Sequence, residues 1–258
     1  VSLCTVSNGY LINEEIADKL SQCDLEIIQI SLDGATADSH DWLRNKKGSF
    51  EHAINAIKLL IHRNMKVAVA FTPTKKNINE LEMAIDMAHD LGVRFFRLQP
   101  TMSLGRARNN LTEYLLNYEE YLQMKFLIDK KRMQYYAAGN FTIEWGDPID
   151  HLKYGIHSDN ILYALAINAY GDIMISPYLP LVFGNIREES VENYFKAGIT
   201  GVWGNPIVKK IVDNIHSVED MDVSRYGLPE IYLDENINLD ILDPEYDEKT
   251  KKILESMR

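Results

Sequence analysis

The 258 residues, 46% hydrophobic and 25% charged, suffice for one sizeable core and a small appended module. A formal net charge of -11 gives a surface field that repels phosphate backbones and anionic lipid, so neither nucleic acid nor membrane is an expected partner. Apolar runs such as Val67 to Phe71 fall far short of the roughly 20 residues of a membrane helix, and two cysteines, Cys4 and Cys23, point to reduced thiols in a cytoplasmic protein.

The chain opens on a β-rich run, Val1 to Val6, closed by Ser7-Asn8-Gly9, and Asn13-Glu14-Glu15 then starts an amphipathic helix to about Ser21. Leu25 to Leu32 reads as a second strand ended by Asp33-Gly34. After a loop, Ser49 is the expected cap of a helix with Ile54, Ile57, Leu60 and Ile61 on one face. Lys66 to Phe71 is a third strand, broken by Thr72-Pro73-Thr74, and Asn79 to Leu91 carries a helical stripe ending at Gly92. Val93 to Leu98 is a fourth strand stopped by Gln99-Pro100. A loop with Gly105-Arg106 leads to a long helix from about Thr112 to Ala138, and Phe141 to Trp145 reads as a fifth strand.

Strands alternating with helices specify an α/β protein with a parallel sheet. The spacing fits a sector of a TIM-like barrel or a doubly wound sheet equally well, and both place chemistry at the strand C-termini. After about Asp150 the pattern changes. Ala164 to Ala169 and Asp172 to Ser176 read as a hairpin turned by Gly171-Asp172, and Pro206 opens a helix to about Ile215. Glu219 to Glu248 is acidic, dotted with proline and expected to run over the surface. The expected organisation is a partial barrel over 1–150, a hairpin-and-helix module over 151–216, and an acidic tail with a helix over 217–258.

Several segments carry a resemblance in order along the chain. They are Ser7-Asn8-Gly9, Ile30-Ser31-Leu32-Asp33-Gly34, His40-Asp41-x-x-Arg44-x-x-x-Gly48-Ser49-Phe50, Asn77 after a strand, Leu91-Gly92-Val93 and Gly105-Arg106. Together they resemble the core of the radical S-adenosylmethionine (SAM) enzymes that modify peptides and proteins. Beyond them, Tyr170-Gly171-Asp172, Ser176-Pro177, Gly184-Asn185-Ile186 and Val191 to Tyr194 resemble the SPASM or twitch module of the same enzymes. The resemblance implies a partial (β/α) TIM-like barrel, SAM as cofactor, and a peptide or protein substrate.

It also implies roles at strand ends. Ser31 would hydrogen-bond the ribose or carboxylate of SAM, and Arg44 would hold the methionine carboxylate through its guanidinium fork. Leu98 and Gln99 would face the adenine. Asn8 and Asp33 share these positions, although Asn-Gly and Asp-Gly are also ordinary turn formers. Glu144 and Asp147 flank Trp145-Gly146, where a catalytic base or substrate anchor stands; Asp147-Pro148 is equally a helix-opening pair. Arg97 reads either as a substrate carboxylate anchor or as half of a structural ion pair.

The chain departs from the resembled pattern at its metal sites. The C-x-x-x-C-x-x-C loop and the Gly-Gly-Glu-Pro stretch are absent, and Ala164, Ser176 and Tyr178 stand where similar modules place cysteine. A four-iron cluster (4Fe-4S) is therefore expected only with a missing N-terminal segment, and no metal site within these residues. The sequence reads as the C-terminal part of a radical SAM enzyme whose intact form cleaves SAM reductively, the chain itself being inactive. The alternatives are a degenerate paralogue serving as a peptide-binding or partner protein, or a different TIM-like or doubly wound enzyme using Glu144 or Asp147. A partial barrel leaves parallel edges open to self-association.

Overall fold

The computed structural model describes residues 2–103, 106–158, 165–229, 231 and 235–257, the side chains of Arg106 and Ala138 excepted. Gly105 and Ala164 lie outside the described residues. Two compact units emerge, one of Val1–Thr101 with Glu113–Gly146, the other of Met102–Thr112 with Asp147–Arg258. No helix among the described residues is long and apolar enough to cross a membrane.

The first unit is built on five parallel strands, β1 (Leu3–Ser7), β2 (Leu25–Ser31), β3 (Val67–Phe71), β4 (Phe95–Leu98) and β5 (Thr142–Trp145), hydrogen-bonded in sequential order. A doubly wound sheet reverses its strand order at a switch point. This one does not, which resolves the ambiguity of strand spacing in favour of a TIM-like barrel sector. The connecting helices are α1 (Glu14–Ser21), α2 (Ala37–Arg44), α3 (Ser49–His62) and α4 (Leu81–Asp90).

Strand parity divides the sheet into two faces. Ile28, Ile30, Val67, Val69, Phe71, Phe96 and Leu98 are buried, and Ile30 lies beside the α3 alanines Ala53 and Ala56 at Gly9. That face is the apolar core beneath the helices. The opposite face aligns Ser31, Ala70, Arg97 and Glu144 in one row, and Gln29, Ala68, Phe95 and Thr142 in the next. Gly9, at a φ of 73°, has Ala56 Cβ only 3.1 Å from where its own Cβ would stand, so a side chain there meets both strain and α3.

Three local expectations are corrected. Helix α2 occupies what the sequence presents as a loop; its residues, ADSHDWLR, carry little apolar periodicity, and tertiary hydrogen bonds described below hold it. The residue before α3 is Gly48 at a φ of 82°, and Ser49 is the first helical residue. The long helix is α6 (Tyr118–Tyr135), bounded by short 3₁₀ turns, because Asn117 and Glu120 form a reciprocal capping box that starts it later. Lys131 is buried in its middle, satisfied by Asp86 at 2.8 Å and Glu82 at 3.1 Å.

The second unit includes α5 (Arg106–Asn110), α7 (Pro148–Ile156), the antiparallel pair β6 (Ala166–Ile167) and β7 (Ile173–Met174), and β8 (Leu181–Val182). Helices α8 (Val191–Lys196) and α9 (Pro206–Asp213), then β9 (Ile237–Asn238) and α10 (Tyr246–Ser256), complete it. The hairpin turns at Ala169-Tyr170-Gly171, with Gly171 at a φ of 91°, while Asp172 already bridges to Asn185. The acidic segment does more than run over the surface. Met221, Tyr226, Leu228, Ile237 and Leu239 from that segment, and Ile253 and Met257 after it, enter the same core as Trp203 and Tyr194. Met221 and Tyr226 directly follow short 3₁₀ turns, and Leu228 and Leu239 lie outside helices and strands, so no helical period announces them.

Packing against Trp203 is close enough to test. An alanine Cβ at Gly155 would fall 2.4 Å from the indole ring. Replacing a helical glycine with alanine ordinarily stabilises by about 0.5–1 kcal/mol, but overpacking costs roughly 1–3 kcal/mol, so the clash wins. Gly155→Ala is expected to lower the melting temperature read by circular dichroism; an unchanged or raised melt would show that Trp203 moves aside freely.

Candidate functional site

The C-terminal end of β2 gathers the polar residues of the first unit. Ser31 is the last strand residue and is 9% exposed, and the chain continues paired as Leu32 donates to Ala70 O at 2.9 Å. Asp33 follows, fully buried. Its Oδ1 accepts from Thr72 N at 2.8 Å, and its Oδ2 lies 2.5 Å from Arg44 Nη2, which reaches back from the last turn of α2. A hydroxyl and a guanidinium are thus delivered to one end of one strand. Arg44 keeps 32% of its side chain exposed, while its Nε is buried with no hydrogen-bond partner.

The resembled motif turns out to be a connected network around this pair. Asn77 is buried and donates through Nδ2 to Asp33 O at 2.8 Å and Thr72 O at 2.9 Å, while its Oδ1 accepts from Thr74 N at 2.6 Å. It ties the ends of β2 and β3 together. Asp33 N donates to His40 Nδ1 at 2.9 Å, which makes the ring an acceptor on that nitrogen. Glu80 anchors the start of α2, accepting from Ala35 N, Thr36 N, Thr36 Oγ1 and Ser39 Oγ at 2.6 to 3.0 Å. Asp41 binds Gly48 N, Ser49 Oγ and Phe50 N, fixing the turn into α3.

These bonds show in the acidities. Burial pushes the Asp41 and Glu80 carboxyls up, but the donors from Phe50, Gly48 and Ser49 on one and from Ser39, Thr36 and Ala35 on the other hold both below the usual range. Burial lowers His40 below its ordinary value, outweighing the Asp33 carboxylate beside it.

The other expected residues distribute as follows. Asn8 is exposed and accepts from Tyr10 N at 3.0 Å, a turn bond within its own loop. Leu98, expected at the rim, points its side chain into the helix-side core, and its carbonyl accepts from Gly146 N at 2.8 Å. Gln99, on the opposite parity, lays its side chain over Gly146, where a Cβ would meet Gln99 Cγ at 2.9 Å. Glu144 pairs with Arg97, Nε to Oε2 at 2.5 Å, and Arg97 Nη1 donates to Gln29 Oε1 at 3.1 Å. Of the two readings of Arg97, the structure brings out the ion pair.

Asp147 belongs to the second unit, where its Oδ1 caps α7 by accepting from Ile149 N at 2.9 Å. Of the positions where similar modules carry cysteine, Ser176 is buried with its Oγ 3.1 Å from His151 Nε2, and Tyr178 stacks edge-on against that ring. Cys4 and Cys23 are both exposed, and no group of acidic, histidine or cysteine side chains among the described residues could hold a metal. The ligands of a four-iron cluster are not among these residues.

The roles of Glu80 and His40 were missed in the sequence reading. Only an acceptor near the unsatisfied N-terminus of α2 would have revealed Glu80, and α2 was itself read as loop. For His40 the stability consequence has a definite sign. Below about pH 6.5 the unfolded chain binds a proton that buried His40 refuses, so stability falls as pH drops through that value towards the folded one. His40→Asn keeps an acceptor near Nδ1 without titrating. Calorimetric melts at about pH 7.5 and about pH 5.5 are expected to differ less in the variant than in the parent; parallel profiles would contradict the assignment.

The model of the Radical SAM superfamily matches residues 1–91. Sporulation killing factor maturation protein SkfB of Bacillus subtilis (strain 168) is 34% identical over 119 residues, covering 46% of this chain and 29% of that protein. AdoMet-dependent heme synthase of Methanosarcina barkeri is 24% identical over 200 residues, covering 71% of this chain and 57% of that protein. The chain spans less than two thirds of the length of either relative. Native anSMEcpe with bound AdoMet and Cp18Cys peptide shares the fold, with a TM-score of 0.62 at 14% identity over 99% of this chain and 73% of that one. Residues 1–91, which hold the Ser31, Asp33, Arg44 and Asn77 end of the sheet, are thus the part of the chain that is similar to the radical SAM superfamily.

Proposed function

We propose that this chain supplies the SAM-facing strands of a radical SAM enzyme that modifies a peptide or protein side chain. The observation that carries the reading is the Arg44 guanidinium, brought to the end of β2 beside Ser31 with donors left over after its contact to Asp33. Arg44 would take the carboxylate of the methionine moiety, because a planar fork matches a carboxylate. Ser31 would hydrogen-bond the same moiety or the ribose, and Gln99 would flank the adenine. SAM bound beside a reduced four-iron cluster supplies hydrogen-abstraction chemistry; the cluster's ligands lie outside these residues. A peptide substrate is supported by the peptide bound to anSMEcpe and by the maturation role in the name of SkfB.

A second reading, a tetrapyrrole substrate, is favoured by the heme synthase relative, which aligns over more of the chain than SkfB does. Titration with iron coproporphyrin separates the two: a shifted Soret band supports the tetrapyrrole, and an unchanged one the peptide.

Hydrogen bonds to a charged group contribute roughly 1.5–3 kcal/mol. Arg44→Ala is therefore expected to weaken SAM binding by about tenfold or more in calorimetry, with the fold retained by circular dichroism. Unchanged affinity would remove the site.

A further inference from the structure

We propose that Asp33 is a positioning residue, which aims Arg44 at the carboxylate of SAM without touching the ligand; this rests on the reading just given. Asp33 has no exposed surface, so a ligand at the rim has nothing of it to contact. Its main chain is pinned by His40 and Asn77, and its Oδ1 is fixed by Thr72 N. Only Oδ2 remains, and it meets Arg44 Nη2. Arg44 is a long, rotamer-rich side chain on the last residue of α2, a helix that Glu80 and Asp41 secure at its two ends. With Arg44 Nε lacking a hydrogen-bond partner among the described residues, Asp33 is the contact that orients the guanidinium.

Electrostatics alone argues the other way. Asp33 carries the same sign as the ligand carboxylate, so deleting its charge would tighten SAM if aiming did not matter. The sign of the effect therefore decides between the two accounts. Asp33→Asn keeps an acceptor for Thr72 N and nearly the same volume but loses the charge that holds Arg44.

The test is calorimetry with two probes, SAM and decarboxylated SAM, on the parent protein, Asp33→Asn, Arg44→Ala and the double variant. The expected result is that Asp33→Asn weakens SAM about tenfold, changes decarboxylated SAM by less than about twofold, and adds nothing in the Arg44→Ala background. Equal or tighter SAM binding by Asp33→Asn overturns the inference, as does an equal loss for both probes or an additive loss in the double variant. Those results leave Arg44 as a ligand-binding residue; SAM affinity unaffected by Arg44→Ala instead removes the site itself. Asp33→Glu, which keeps the charge but displaces it by one methylene, is a second variant in which a SAM-selective loss is expected and a loss shared by both probes overturns the inference.

Discussion

A carboxylate with no exposed surface at the end of β2 is the constraint on which the site depends. Burying an isolated charge costs several kcal/mol even after relaxation, so Asp33 is tolerable only where donors converge on it. Thr72 N donates to Oδ1, and the Arg44 guanidinium faces Oδ2 as an ion pair. To bring them there, β3 must run alongside β2 in register, α2 must form, and its last residue must turn back over the strand end. The fold of residues 31 to 80 is largely the solution to that requirement.

The surrounding bonds form a hierarchy. Asn77 fastens two strand ends to each other, His40 and Glu80 fasten α2 to that junction, and Asp41 fastens α2 to α3. Asn77, Glu80 and Asp41 each make several hydrogen bonds, and in such networks losing one partner leaves another buried group unsatisfied. This accounts for a motif spread over nearly fifty residues in which only Ser31 and Arg44 are proposed to meet a ligand.

Much of this was legible in the sequence, and the exceptions have physical causes. The five strands could be read because β-branched runs end at Asn8-Gly9, Asp33-Gly34, Thr72-Pro73 and Gln99-Pro100, which are signals local to the chain. Ser31 and Arg44 could be named from their spacing within a resembled motif. The burial of Asp33 could not, since Asp-Gly looks the same whether it turns in solvent or beneath a helix. Helix α2 was hidden because tertiary bonds, not apolar periodicity, hold it. Tyr226 and Met221, each directly after a short 3₁₀ turn, were hidden for the related reason that such a segment has no 3.6-residue stripe. At the end of β4 strand parity separates the two expected residues: the Leu98 side chain faces the core, leaving its main chain at the strand end, while Arg97 and Gln99 face the other side of the sheet.

On the polar face of the sheet β3 presents only methyl groups, Ala68 and Ala70, and Arg97 on β4 stretches across them to Gln29 on β2. A valine or leucine at either position would stand as a wall between the Ser31 side and the Arg97 and Glu144 side. The furrow is thus set by two of the smallest side chains in the unit, and neither methyl group takes part in the bonds around Asp33, the main chain of Ala70 alone accepting from Leu32 N. Its width can be retuned by single substitutions on β3 while the bonds around Asp33 stay as they are, so that the shape of what is accommodated and the hold on Arg44 vary independently.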